Sequence, residues 1–539
     1  MPAPRLERVV DVAVVGAGFA GLYALYRLRE AGWSVLGFEA GDSVGGTWYW
    51  NRYPGARCDV ASVEYSYSFC DDLQQEWVWT ERYATQPEIL RYLEHVADRF
   101  DLRRHIHFNT RVEAAVFDEA SGRWEVHTSD GEVTRARFVI MATGCLSTAN
   151  LPEISGRDSF QGSVLHTGRW PHHPVDFSGQ RVGIIGTGSS AIQAIPVLAA
   201  EAAELVVFQR TPNYSVPAHN YPLASAELAA VKANYADLRE RNRRTMVGAG
   251  GWAPPPPGPA LERSDDERER ILEERWADGG LWFLASFTDV VFNASANEAV
   301  ADFVRRKIRA VVEDPSVADR LTPTQRIGCK RMCVDTGYHE TFNRPNVRLV
   351  DLRETPIEAI TPTGVQTTAE HIKTDTLVFA TGFDAMTGTL MRIDIRGRDG
   401  VPMRETWAEG PRTYLGLGVP GFPNLFLVTG PGSPSVLTNM VTSIEHHVDW
   451  ISDCLDHLRS GGYATIEASR ESADNWVAYV NAVAGTTLFT TCNSWYLGAN
   501  IPGKPRVFMP LFGFAPYVAT CADIAANGYR GFKLLTDAH

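Results

Sequence analysis

The sequence predicts an α/β fold built from two nested Rossmann-like dinucleotide-binding domains with a helical insertion, and three observations carry that expectation. Two glycine loops, Gly16-Ala-Gly18-Phe19-Ala20-Gly21 and Gly186-Thr187-Gly188-Ser189-Ser190-Ala191, each follow an apolar strand and open a helix. Two Ala-Thr-Gly triplets, at 142–144 and 380–382, each end a later apolar strand. Between the second loop and the second triplet lies a charge-laced helical stretch with no nucleotide motif. A strand that turns through glycines into a helix aims backbone N–H groups and a helix N-terminus at a pyrophosphate, so two dinucleotides are expected. The implied division is 1–150 and 381–539 for the first domain, 151–216 and 326–380 for the second, and 217–325 for the insertion.

Taken in order, Val9 to Val15 reads as a strand, Leu22 to Glu30 as a helix closed by Gly32, and Ser34 to Phe38 as a strand ending in Glu39. Glu39 stands 23 residues after Gly16, where an acidic side chain accepts hydrogen bonds from a ribose diol that carries no 2′-phosphate. From Gly45 to Asp59 aromatic residues alternate with glycine, a pattern that lets backbone approach a flat cofactor while aromatic walls exclude water. Residues 86–104 recur apolar at helical spacing behind Pro87, and strands follow around 107–116, 124–128 and 136–141. After the second loop, residues 204–211 repeat the strand that ended in Glu39, and Arg210 now stands 24 residues after Gly186. An arginine there pairs with a 2′-phosphate, so the first site is read as FAD and the second as NADPH, with an ordinary surface arginine as the alternative.

The insertion is expected to hold helices at 225–244, 264–276 and 297–312, broken by Pro254 to Pro257, and to shape a substrate pocket or simply pad the fold. Lys330 and Arg331 form a basic pair at a loop-like junction, followed by strands at 347–352 and 375–379. The C-terminal part, with glycine-proline loops at 430–440 and 494–504, is expected to complete the first, FAD-binding domain.

Composition narrows the class. Fifty-one basic against 64 acidic residues give a formal charge of −13, which argues against a general nucleic-acid or anionic-membrane binder. The eight cysteines have no CxxC pair or zinc spacing, so reduced thiols and no metal site are expected, with Cys329 and Cys333 kept in view because they flank the basic pair. With no apolar signal core in the first ten residues and no long apolar run, a cytoplasmic protein is expected, as a monomer or weak homo-oligomer.

The segment Phe160-Gln-Gly162-Ser-Val-Leu-His166-Thr-Gly-Arg-Trp170-Pro171 matches the fingerprint FxGxxxHxxxWP. With both glycine loops flanking it, the chain resembles the Baeyer-Villiger monooxygenases over nearly its whole length, and most of all the branch acting on phenylacetone and steroid ketones. That branch is suggested by Ala56-Arg57-Cys58-Asp59, by Thr429 to Ser435 and by Arg506 to Pro510. The resemblance implies NADPH- and O2-dependent insertion of oxygen beside a ketone, giving an ester or lactone through a C4a-peroxyflavin. It implies Arg331 as the arginine over the flavin and Asp59 as the carboxylate that tunes it.

For FAD the expected contacts are Gly16, Gly18, Phe19, Ala20, Gly21, Glu39, Gly46, Thr47, Trp48, Asp59, Tyr65, Val112 and Met440. For NADP they are Arg57, Cys58, Asp59, Gly186, Thr187, Gly188, Ser189, Ser190, Gln193, Arg210, Thr211, Lys330, Arg331 and Trp495. His166 is implied to lie in a linker away from the chemistry. Phe512 to Tyr517 depart from the family's double-glycine stretch, which touches pocket or tail packing rather than reaction class. Rival readings are a flavin monooxygenase acting on nitrogen or sulfur, a reductase or oxidase disfavoured by the absent cysteine pair, and a non-catalytic nucleotide sensor.

Overall fold

The computed structural model describes residues 8–505 and 513–536, so the Arg506 to Pro510 segment and Phe512 lie outside the described residues. The first sheet is organised on two long strands, Arg8–Val15 and Val133–Met141, which pair in parallel because both are apolar on both faces over their second halves. Val35–Phe38 and Ile106–His107 extend one side of it. The antiparallel strands Val112–Asp118 and Arg123–Thr128 extend the other. Two late segments join this sheet, Asp394–Arg396 on Val112–Asp118 and Leu425–Leu427 on the end of Val133–Met141.

The second sheet has five strands, all parallel, in the order Val347–Asp351, Glu204–Gln209, Arg181–Ile185, Thr376–Phe379, Ser163–His166. Each nucleotide loop is held by the triplet that faces it. A Cβ on Gly16 would stand 2.5 Å from the Ala142 carbonyl oxygen, and one on Gly186 2.5 Å from that of Ala380. Both glycines also have φ above +100°, so the recurrence of Ala-Thr-Gly reflects one steric solution used twice.

The insertion is helical, with caps at the residues that its polar side chains mark. Ser264 and Glu267 form a reciprocal capping box before Asp265–Asp278, and Asn293 caps Ala294–Val311. The expected helix over 225–244 is two helices, Ser225–Ala233 and Tyr235–Arg244, because Asn234 leaves the helical region at φ −125°, ψ 18°. Arg239 on the second of these is buried and donates to Gln74 Oε1, the Glu64 carbonyl and Ser66 Oγ. The insertion is thus fastened to the first sheet's side of the molecule by a charged group whose donors are satisfied.

One correction concerns the cysteines. Cys329 and Cys492 form a disulfide across 163 residues, with Cα atoms 6.0 Å apart, while the other six remain thiols. Spacing along the chain does not reveal such a pair, because it is the fold that brings the 329 turn against the 492 loop.

Burial also fixes a pH response. His447 is enclosed, accepting from the Thr429 N–H at Nδ1 and facing the Tyr517 hydroxyl at Nε2, and burial holds its pKa well below the usual range. Burial likewise lowers His339 and His446 to about 4. A depressed histidine pKa means that the unfolded chain binds more protons between the two values, so this stability is present above pH ~6.5 and lost as pH falls. Each such histidine contributes a slope of about 1.4 kcal/mol per pH unit in that window. Chemical-denaturation midpoints should therefore fall between pH 6.5 and 5, and replacing His446 by Gln should flatten the slope.

Candidate active site

The first glycine loop is braced from below by Glu39. Its buried carboxylate accepts the N–H groups of Ala17 and Gly41, both at 2.9 Å, leaving lone pairs for further donors. Burial raises its pKa, partly opposed by those N–H groups. Gly18 caps the Phe19–Glu30 helix, which carries Ala20 and Gly21 in its first turn. Gly46 comes so close that a Cβ on it would lie 2.8 Å from Gly18 Cα. Thr47 and Trp48 open a short helix over Thr47–Trp50, and Trp48 Nε1 donates to Tyr65 Oη at 3.3 Å. Val112 begins the buried edge of its strand, and Met440 begins the Met440–Gly461 helix behind its Asn439 cap. These residues form a narrow glycine cradle with an acidic ribose position, a fit for FAD.

The second loop is open where a phosphate would lie. Nothing stands within 4 Å of a Cβ built on Gly188, which caps the Ser189–Glu201 helix that carries Ser190. Thr187 Oγ1 donates to the Thr211 carbonyl, closing the loop against the strand that ends before Arg210. Arg210 is exposed, and Lys330 lies near enough for its pKa to be lowered, first by burial and then by the Arg210 charge. Among the described residues neither cation has an ion-pair or hydrogen-bond partner. Two adjacent unpaired cations beside an open glycine loop fit the 2′-phosphate of NADPH.

Between the loops, Asp59 and Arg331 meet although 272 residues separate them. Arg331 Nε donates to Asp59 Oδ2 at 3.1 Å, and Nη2 donates to Oδ1 and Oδ2 at 2.8 and 2.7 Å. Nη1 donates to the Val436 carbonyl at 3.2 Å. Burial alone would lower the arginine's pKa, but the Asp59 carboxylate and the Tyr496 hydroxyl outweigh it and hold the pKa above its ordinary range. The guanidinium is therefore a fixed, permanent positive charge, its orientation set by a bidentate carboxylate.

The other residues singled out in the sequence make the following contacts within the protein. Arg57 pairs with Glu81 at 3.1 Å, and its backbone is bridged by Gln193, whose Nε2 donates to the Arg57 carbonyl. Tyr53 Oη donates to Gln193 Oε1 at 2.8 Å, so Gln193 braces the 53–57 segment against the second loop's helix. Cys58 is buried and accepts from the Val60 N–H, and Ser189 Oγ lies 3.3 Å from Cys333 Sγ. Trp495 is partly exposed and packs on Tyr496, with ring centroids 4.5 Å apart. His166 sits under Phe383, with Nδ1 accepting from the Gly168 N–H. Sequence reasoning missed Gln193's brace and the Val436 carbonyl, since neither contact is marked by local spacing.

Two dinucleotide cradles of opposite ribose charge, with a half-buried arginine-carboxylate pair, define a flavoprotein oxidoreductase. The family model for pyridine nucleotide-disulphide oxidoreductases matches residues 13–240. A Baeyer-Villiger monooxygenase of Pseudooceanicola batsensis is 43% identical over 524 residues, covering 96% of this chain and 95% of the relative. A phenazine N-monooxygenase of Lysobacter antibioticus is 40% identical over 537 residues, covering 98% and 97%. The structure of an oxidized steroid monooxygenase bound to NADP superposes with a TM-score of 0.94 at 53% identity, covering 98% of this chain and all of that one.

This chain belongs to the Baeyer-Villiger monooxygenases, the class B flavin monooxygenases related to the cyclohexanone and steroid ketone enzymes. It is an FAD-dependent, NADPH- and O2-consuming monooxygenase. Among the described residues no helix is long and apolar enough to cross a membrane.

Proposed function

We propose that this enzyme oxidises arylalkyl, cyclic or steroid-like ketones to esters or lactones, with Arg331 and Asp59 as the residues that govern the oxygen-transfer step. The observation that carries the reading is the bidentate Asp59–Arg331 pair set between the two nucleotide loops. FAD, held in the first glycine cradle, would supply the oxygen-activating chemistry, and NADPH in the second would supply its reducing equivalents. Arg331 stabilises negative charge on the transferring oxygen and on the carbonyl oxygen it attacks, and Asp59 prevents the guanidinium from rotating away. Arg210, Thr211 and Lys330 hold the 2′-phosphate and so decide which nicotinamide enters. Trp495 and the aromatic run at 48–50 exclude water from the site.

The division into FAD-binding parts at 1–150 and 381–539, NADP-binding parts at 151–216 and 326–380, and an insertion at 217–325 belongs to the same proposal. It is supported by the strands that each sheet recruits. A second reading, oxygen transfer to a soft nitrogen or sulfur, is favoured by the similarity to a phenazine N-monooxygenase. NADPH consumption in air, measured across linear, cyclic, arylalkyl and steroid ketones, an aryl sulfide and a phenazine with products identified, separates the two. Ester or lactone formation with the highest kcat/KM on a ketone is the expected result, and a preference for N-oxide or sulfoxide would replace the first reading by the second.

A further inference from the structure

The turn that carries Lys330 and Arg331 is pinned from one side and fastened from the other. Asn297, fully buried on the Ala294–Val311 helix, accepts the Ile327 N–H at 3.1 Å and donates to the Ile327 carbonyl at 2.9 Å, so the approach to the turn is fixed to the insertion. Cys329, itself buried, then bonds to Cys492 in the loop that carries Trp495. One sulfur of the bridge thus belongs to the residue before Lys330 and the other to the third residue before Trp495.

On the loop's side the bridge can be reached. The loop is moored at its start by the Leu488 N–H on the Val291 carbonyl, and at its far end by Asn500 Nδ2 donating to the Phe383 carbonyl and by Lys504 Nζ paired with Asp384 Oδ1 at 2.5 Å. Between these moorings Thr490, Thr491 and Asn493 are exposed and Cys492 is half-buried. Thiol-disulfide exchange proceeds at the sulfur that an attacking thiolate can approach, which here is that of Cys492. The bridge joins two stretches assigned above to the nicotinamide nucleotide, so it limits how far the loop can leave the turn.

We propose that the Cys329–Cys492 bridge is a redox latch on nucleotide release: closed, it holds the Trp495 loop against the Lys330 turn and NADP+ leaves slowly; opened by a dithiol, it frees the loop and NADP+ leaves fast. The proposal rests on the nucleotide contacts assigned to Lys330 and Trp495 above. In the opening step a dithiol thiolate attacks the Cys492 sulfur, the S–S bond breaks and Cys329 departs as a thiolate. The dithiol's second thiol then displaces Cys492, leaving two protein thiols and the oxidised dithiol. In the closing step the Cys492 thiolate attacks hydrogen peroxide, giving a sulfenic acid and, after protonation, one water; Cys329 displaces the remaining oxygen as a second water and the S–S bond forms. Hydrogen peroxide is what NADPH and O2 yield when no ketone accepts the oxygen, so unproductive turnover supplies the oxidant.

Release of radiolabelled NADP+ from the FAD-loaded enzyme into an excess of unlabelled NADP+ tests this, with thiols counted after unfolding and FAD content as the control. The oxidised parent should show six thiols, and all eight cysteines should titrate after treatment with dithiothreitol. NADP+ should leave about 10-fold faster from the reduced form, with FAD retained. Hydrogen peroxide should then restore both the lower thiol count and the slow release. Cys492→Ser should release NADP+ at the fast rate under either treatment.

Equal release rates from the oxidised and reduced parent, with Lys330→Ala weakening NADP+ in equilibrium dialysis, overturn the latch alone. So does a reduced parent in which peroxide closes no bond, or a Cys492→Ser variant that dithiothreitol accelerates as much as the parent. Loss of FAD in parallel with NADP+ on opening also overturns it, since the bridge would then be merely structural. NADP+ binding unchanged in Lys330→Ala overturns the reading of the basic turn and the latch with it.

Discussion

Arg331→Ala should abolish ester formation, by about 10³-fold or more, while FAD remains bound and NADPH is still oxidised with release of hydrogen peroxide. The expectation follows from where the charge sits. A guanidinium held on Nε and Nη2 by Asp59 and on Nη1 by the Val436 carbonyl needs no reorganisation when negative charge develops nearby. Removing it also leaves Asp59, only 20% exposed, without its partner, so a carboxylate would oppose the charge the step creates. Arg331→Lys should recover part of the product yield at most, because a lysine offers a point charge and cannot reproduce the bidentate geometry. Product and peroxide yields per NADPH in the two variants check this directly, and near-parent ester yields in Arg331→Ala would remove the residue from the mechanism.

The second large effect concerns the choice of nicotinamide. Arg210→Ala should raise the KM for NADPH by about 10- to 100-fold and that for NADH by less than about threefold, since only the former carries the 2′-phosphate that we assign to these two cations. Lys330→Ala should act in the same direction, and the double variant should prefer neither nucleotide strongly. A pH signature accompanies the loss. Burial and the neighbouring Arg210 charge hold Lys330 below its ordinary pKa, and the protonated lysine is the form that binds phosphate. NADPH affinity should therefore weaken on the alkaline side, earlier than for an ordinary lysine. In Arg210→Ala that limb should move to higher pH, because one cause of the depression has gone. Initial rates over NADPH and NADH concentrations at several pH values settle both parts.

What could be read from the sequence was what is local. Gly16 and Gly186 announce strand-turn-helix units because the chain must turn where no side chain fits, and Glu39 and Arg210 sit at nearly equal distances from them. The helix that Ser264 caps was legible for the same reason, whereas the one that Asn293 caps was expected only from residue 297 and begins at Ala294. Asn234 shows the limit, since periodicity runs through it while the backbone does not.

Contacts between distant residues follow a different logic. Arg331 was noticed as half of a basic pair, but the roles of Asp59 and Arg331 came only from family resemblance, and nothing in their spacing says that they touch. The Cys329–Cys492 bond and the Gln193 brace on Tyr53 and Arg57 each join segments that become neighbours only after the sheets have assembled. Arg57 and Gln193 illustrate the difference, because nothing in their spacing says that Gln193 bridges the Arg57 backbone while Arg57 pairs with Glu81.

The nesting of the sheets sets an order of events during synthesis. All five strands of the inner sheet lie between Ser163 and Phe379, whereas the outer sheet waits for Leu425–Leu427 to pair with Val133–Met141. On the ribosome the later-encoded nucleotide unit can therefore close before the earlier one, reversing the usual N-terminal-first sequence. Until the last strand emerges, the Val139 to Met141 edge that it covers stays bare, and this interval is when the nascent chain is most open to chaperones.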